Sequence, residues 1–177
     1  MIVLRRLPLG FFLYDYPTIR SSKVDHELFL TPESIDIDAL LRELESAGLD
    51  ALPDDDGEIE VQGSAGFHIY ISDDGSAICF YAAFNFRTTV SLHERLHCTA
   101  LINDEVFGLK AHASTDLLTL DHEMLIRGGV SYPNFGYVAA RFQENLVEAL
   151  NLYTQGLIDW EPGPDAADFL ERCHSAE

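Results

Sequence analysis

Basic residues are scarce in this sequence: 11 lysines and arginines face 30 aspartates and glutamates, and only Lys23 and Lys110 are lysines, leaving a formal charge of −19. Such a surface repels phosphate backbones, so no nucleic-acid partner is expected. A basic or apolar polypeptide is easier to accommodate, and solubility alone is the other use of the charge. Cysteine is scarce as well. Cys79, Cys98 and Cys173 make an odd count with no C-x-x-C spacing, which gives no disulfide framework and fits a reducing, cytoplasmic setting where thiols act as small hydrophobes. Long apolar runs are missing too, since nothing approaches the roughly 20 residues that span a bilayer, and no membrane association is expected. The opening MIVLRRLPLGFFLYDY carries two arginines and a short apolar run. Pro8 and Gly10 interrupt that run, Asp15 follows, and no small-residue cleavage site comes after it, so it reads as part of the fold and not as a signal peptide.

The chain has no G-x-S-x-G, no P-loop and no G-x-G-x-x-G, so serine hydrolase, nucleotide hydrolase and dinucleotide readings each lack their first requirement. No cofactor is called for. At 177 residues and 47% hydrophobic, the chain suffices for one good core and is short for two, so a single domain is expected. Residues 1–30 form an arm or strand, 31–155 the core, and 156–177 an acidic tail with a short helix over Asp165–Cys173.

The most legible stretch is Gly66–Val130, which reads as hairpin, helix, hairpin. Asp74-Gly75 lies between two alternating apolar runs and predicts a type I′ turn with φ > 0 at both residues. Counting outward, Ile71 faces Ile78, Ile69 faces Phe80 and Phe67 faces Ala82 on one side, with His68/Tyr81, Tyr70/Cys79 and Ser72/Ala77 on the other. A slip of one residue would mix the two sets. Taking Thr115-Asp116 as the second turn sets Ala113 opposite Leu118, Ala111 opposite Leu120 and Lys110 opposite Asp121.

Around these hairpins the apolar spacing predicts helices. The first has Ser34 as N-cap, carries Ile37, Leu40, Leu41 and Leu44, and stops at Gly48. The second, Val90–Val106, lays Leu92, Leu96 and Ala100 on its core face with Thr99 beside them. The third, from about Asn134 to Tyr153, carries Phe135, Val138, Ala139, Phe142, Leu146, Ala149, Leu150 and Tyr153. Pro53 and Asp54–Gly57 read as a solvated loop. An EF-hand centred on Gly57 would need Leu52 and Gly63 as ligands, which excludes it. Glu58–Gln62 alternates Ile59 and Val61 inward with charges outward, and its charge suggests a sheet edge.

His93-Glu94-Arg95-Leu96-His97 matches H-E-x-x-H on a predicted helix. In zinc peptidases two such histidines bind the metal and the glutamate is general base on the bound water. Here Arg95 replaces the usual apolar residue, no G-x-x-H follows His97, and a third ligand would have to be an unmarked carboxylate such as Glu105 or Glu123. A zinc hydrolase built on His93, His97 and Glu94 is therefore the minor reading, and no metal is expected. Cys98 beside His97 makes no nucleophile pair, because neighbouring helical residues point about 100° apart. His68 and His112 are expected to be satisfied by Tyr or backbone partners.

The helix ending Leu101-Ile102-Asn103, the strand pair Leu109–Thr115 and Leu117–Met124, the Gly128-Gly129-Val130 break and the closing Phe-rich helix together resemble the YbjN-like family over about 85 residues. The resemblance implies an α+β fold similar to type III secretion chaperones, an antiparallel sheet with helices packed on it in the order α-β-β-β-α-β-β-α. It also implies a non-enzymatic role in regulation or protein binding. The residues independently suggest a surface, since the non-core side of the first hairpin presents His68, Tyr70, Cys79 and Tyr81, amphipathic groups of the kind enriched at interfaces. That face or a neighbouring edge is expected to meet a polypeptide partner or a second copy in a homodimer, unless the N-terminal arm or the C-terminal tail covers it. A regulatory domain sensing a small molecule in a cleft under the last helix is the alternative.

Overall fold

The computed structural model describes residues 29–54, 57–63 and 65–160. The arm over 1–28 and the tail helix over Asp165–Cys173 lie outside the described residues. The elements run β1 (Phe29–Leu30), α1 (Ile37–Ser46), β2 (Asp50–Pro53), β3 (Ile59–Gln62), β4 (Phe67–Ile71), β5 (Ala77–Asn85), α2 (Leu92–Glu105), β6 (Lys110–Ala113), β7 (Leu117–Leu125), β8 (Val130–Ser131) and α3 (Tyr132–Tyr153). The fold is α+β. Six strands form one antiparallel sheet in the order β2-β3-β4-β5-β7-β6, and β1 pairs with β8 in a separate two-stranded ribbon.

Both hairpin registers follow the sequence pattern: Ile69 pairs with Phe80 and His68 with Tyr81, and Ala111 pairs with Leu120 and Lys110 with Asp121. The turn between β4 and β5 differs from the expected type I′. Only Gly75 has positive φ, at 66°, and the Gly75 N–H donates to the Ser72 carbonyl at 2.7 Å. Asp74 keeps ordinary φ because its carboxylate holds the turn from outside, accepting from the Ser72 hydroxyl and from the Ser76 N–H, each at 3.0 Å. An Asx-type turn thus sets the same register without strain at Asp74.

Glu58–Gln62 is not an edge. Its partner β2 lies outside it, with Pro53 opposite Ile59 and Leu52 opposite Glu60. Pro53, expected in a loop, ends an edge strand, where its missing N–H removes no ladder bond. The four residues of β2, Asp-Ala-Leu-Pro, are too few to show a strand pattern.

One face of the sheet builds the core. Ile59, Val61, Phe67, Ile69, Ile78, Phe80, Leu118 and Leu120 are all buried there, and all three helices contribute to the same cluster. The Phe142 ring of α3 meets Phe67 edge-on at 5.1 Å and Phe80 at 5.6 Å between centroids, which ties the helix to β4 and β5. Gly136 lets α1 approach closely, since a Cβ there would stand 3.3 Å from the Glu43 carbonyl oxygen.

Helix α1 is capped by Asp36 and not by Ser34. The Ser34 hydroxyl instead serves the preceding turn, accepting from the Thr31 N–H at 3.1 Å and donating to the Phe29 carbonyl at 3.1 Å. Helix α2 also departs from expectation. Leu92 and Leu96 are 65% and 53% exposed, while Cys98, Thr99 and Ile102 are buried. The phase is set at its start by a capping box between Ser91 and Glu94. Arg95 covers the Phe86 ring at 5.5 Å and donates to the Val90 carbonyl, so the face carrying Arg95, Cys98, Thr99 and Ile102 turns inward. At the sheet's edge, the Asn103 side chain meets the backbone of Ala111 on β6.

Candidate functional site

The register places the side chains of the second sheet face in rows that cross the strands. One row runs Leu52, Glu60, His68, Tyr81, Asp121, Lys110 through all six strands. Beside it, Tyr70, Cys79 and Glu123 are aligned on β4, β5 and β7. The helices occupy the opposite face, and this one is surfaced by half-buried and exposed groups.

The four residues expected to form a binding surface therefore lie together. The His68 ring stacks on Tyr81 with centroids 5.2 Å apart, and Tyr70 meets Tyr81 edge-on at 5.6 Å. The Tyr81 hydroxyl donates to Glu58 Oε2 at 2.9 Å. Burial, and then that bond to a carboxylate, push the Tyr81 phenol up to about 12. The Tyr70 phenol is raised mainly by its interaction with the Cys79 thiol, and burial raises Cys79 itself. All three groups are thus neutral at physiological pH. Sequence reasoning missed the carboxylates that frame them, Glu58 and Glu60 from β3 and its approach, and Asp121 and Glu123 from β7. Strand alternation alone would have found them once the partners of β4 and β5 were known.

Tyr70, Cys79, Tyr81, Thr119, Asp121 and Glu123 line a shallow depression of about 390 Å³. Two phenol rings and two carboxylates thus surround one hollow, and one of those carboxylates, Asp121, is already paired with His112.

His112 is held by a carboxylate and not by Tyr or backbone, with Nε2 3.0 Å from Asp121 Oδ2. His68 is not satisfied. Its Nδ1 is fully covered and has no hydrogen-bond partner among the described residues.

The H-E-x-x-H residues lie on the exposed side of α2. The rings of His93 and His97 are parallel, with centroids 6.3 Å apart. Glu94 is committed to the helix cap, accepting from the Ser91 N–H at 2.8 Å and from its hydroxyl at 2.6 Å, and those bonds hold its carboxyl below the usual carboxylate range. Among the described residues neither Glu105 nor Glu123 joins the histidines in a three-donor group; the donors that do come together are Asp54, Glu58 and His68. Cys98 is buried, which pushes its thiol up to about 11 and removes it as a nucleophile.

A second, smaller cavity of about 170 Å³ lies under α3, lined by Phe107, His122, Tyr137, Arg141, Phe142 and Asn145 among others. His122 Nδ1 is 2.8 Å from the Gly108 carbonyl oxygen. No helix among the described residues is long and apolar enough to cross a membrane.

No protein-family model matches the sequence, and no curated protein sequence matches it. Among solved structures, the chain is similar to YbjN from E. coli, a protein described as a candidate transcription regulator. The two share 19% identity with a TM-score of 0.60, over 73% of this chain and 97% of that one. With its antiparallel sheet, its closing Phe-rich helix and this structural likeness, the chain has the YbjN-like fold.

Proposed function

We propose that this chain is a non-enzymatic binding module that takes an arginine- or lysine-bearing polypeptide segment on the sheet face that the described helices leave uncovered. The observation that carries the reading is the depression between Tyr70, Tyr81, Asp121 and Glu123. Its size suits one or two side chains, its rings suit the flat face of a guanidinium, and its carboxylates supply the charge. The chain's net charge of −19 adds long-range attraction for such a partner. A second copy docking face to face would bring the same carboxylates against one another, so a basic partner fits better than a homodimer.

The sheet edges are less suited to strand addition. Asn103 occupies the backbone of β6, and β2 is only four residues long and ends at Pro53, which offers no N–H on the outer side. The likeness to a candidate transcription regulator supports a regulatory role exerted through protein contacts, since an acidic surface works against direct contact with DNA.

The test is calorimetric titration of the full chain with short peptides that carry Arg, Ala or Glu between apolar flanks. Binding of the Arg peptide alone, weakened by salt and lost in Tyr70→Glu and in Glu123→Lys variants with unchanged circular dichroism, is expected. Equal binding of the Ala peptide, or unchanged binding by both variants, would show the reading to be wrong. Tyr70 is preferred over Tyr81 for this purpose because it makes no bond to Glu58.

The cavity under α3 favours a second reading, a regulator that senses a small ligand. Its volume of about 170 Å³ is below the usual range of about 300–1,000 Å³ for drug-sized ligands, so the ligand would be a small carboxylate that competes with Glu144 for Arg141, the two being 2.8 Å apart. A thermal-shift series of short carboxylic acids decides it: a rise that disappears in Arg141→Gln supports this reading, and a flat series removes it.

A further inference from the structure

We propose that Asp54, Glu58 and His68 form a binding site for a divalent transition-metal ion of the zinc type, at the corner of the sheet where the β2–β3 hairpin meets β4. One donor atom from each of the three residues lies within 4.8 Å of the other two. The three come from different places: Asp54 follows β2, Glu58 precedes β3, and His68 stands on β4 beside Glu60.

The orientation of each donor has a structural cause. The backbone closes the hairpin through Asp54 N–H to the Glu58 carbonyl at 2.9 Å, and Asp54 Oδ1 accepts from the Glu58 N–H at 2.8 Å. That clasp keeps the two carboxylates on one side of the turn. Glu58 Oε2 is steadied by the Tyr81 hydroxyl, an outer-shell bond of the kind that orients metal ligands. The His68 ring is fixed by stacking on Tyr81, and its Nδ1 points toward Glu58 Oε2 at 3.9 Å.

The histidine nitrogen is the telling atom. It is fully covered and unpartnered among the described residues, which is costly for a polar group unless something else completes it. At 3.9 Å, the nitrogen and the carboxylate oxygen are too far apart for a hydrogen bond; two tetrahedral zinc ligands with bonds of about 2.0–2.2 Å stand about 3.4 Å apart, so closing the pair by about half an ångström seats an ion between them. The half-exposed side chains of Glu58 and His68 leave room for water in the remaining coordination positions.

The donor set selects the ion. One imidazole and two carboxylates differ from the all-oxygen cage that calcium prefers and from the thiolate sets of structural zinc sites; they suit a borderline divalent ion, and zinc outranks manganese and iron in affinity at such nitrogen–oxygen sites. The site is separate from His93 and His97 on α2, and it stands whether or not the sheet face binds a polypeptide.

The experiment titrates zinc chloride into full-length protein carrying His93→Ala and His97→Ala, followed by calorimetry, with Glu58→Gln and His68→Ala added singly. One zinc ion per chain is expected in the parent, with affinity reduced at least about tenfold by either added substitution. Nitrogen-detected NMR of the imidazoles in the parent should show zinc shifting Nδ1 of His68. Glu58→Gln preserves shape at the hairpin, and the NMR readout needs no variant at the site itself, so a folding defect in His68→Ala does not blunt the test. Absence of stoichiometric binding, an unshifted His68, or undiminished affinity in Glu58→Gln would overturn the proposal.

Discussion

Asn103 of α2 holds both backbone groups of Ala111: its side-chain nitrogen donates to the Ala111 carbonyl at 3.0 Å and its oxygen accepts the Ala111 N–H at 2.8 Å. One amide thereby imitates the neighbouring strand that edge strand β6 lacks. Asn103→Ala removes two part-buried hydrogen bonds and should cost about 1–3 kcal/mol, and it should expose an edge that self-associates at high concentration. Urea unfolding and light scattering check it; wild-type stability together with a concentration-independent mass would contradict this role.

The two faces of α2 should respond oppositely to substitution. Leu92→Glu and Leu96→Glu sit on the exposed side and should change stability by no more than about 0.5 kcal/mol. Ile102→Ala removes a fully buried side chain and should cost about 2–5 kcal/mol. Denaturant midpoints of the three variants distinguish this phase from the one suggested by the leucine spacing.

Tyr81 links stability to alkaline pH. Burial first, then the hydrogen bond to Glu58, raise its phenol from 10.0 to about 12 in the folded chain. A raised folded value stabilises the protein fully below the unfolded value and is lost as pH climbs through the folded one. Stability should therefore decline between pH 10 and 12 in the wild type, with a shallower decline in Tyr81→Phe. Chemical denaturation across that range tests the sign, and identical slopes would dismiss the linkage.

Asp74 does the reverse at the acid end. Bonds from Ser76 and then Ser72 lower its carboxyl from 3.8 to about 2. The stabilisation is present above the unfolded value and disappears as pH falls through the folded one. The stability difference between wild type and Asp74→Asn should be constant at neutral pH, begin to shrink below about pH 4 and vanish near pH 2. A difference that persists at pH 2 would mean that the turn does not depend on this charge.

What the sequence disclosed followed from local rules. The β4–β5 register was legible because Asp74-Gly75 and the alternation of Phe67, Ile69, Ile78 and Phe80 point to one pairing, even though the turn type itself differed. The core stripe of α3 was legible for the same reason, since Phe135, Ala139, Phe142 and Leu146 repeat over about three turns. Helix α2 misled because its strongest hydrophobes, Leu92 and Leu96, face out, whereas its buried side is made of Cys98, Thr99 and Ile102 around an arginine. Strand β2 left no pattern in four residues ending in proline. The grouping of Asp54, Glu58 and His68 depends on the β3–β4 pairing across Gly63 and Gly66, and no spacing rule within a single element reports it.

Strands β5 and β7 are neighbours in the sheet although α2 and β6 lie between them in the chain. The hairpins β2–β3, β3–β4, β4–β5 and β6–β7 can each form across a short connection, but joining the two groups requires closure of the whole 86–116 segment, at an entropic cost that is met before its contacts form. The nine-residue pairing from Ala77–Leu125 to Asn85–Leu117 is thus the step expected to limit the folding rate. Ala82→Gly and Leu120→Ala should then slow folding more than they speed unfolding, and so should changes at the Asp74 turn, which is already formed when this step occurs. In kinetic terms the chain is two preassembled ribbons waiting on one long loop.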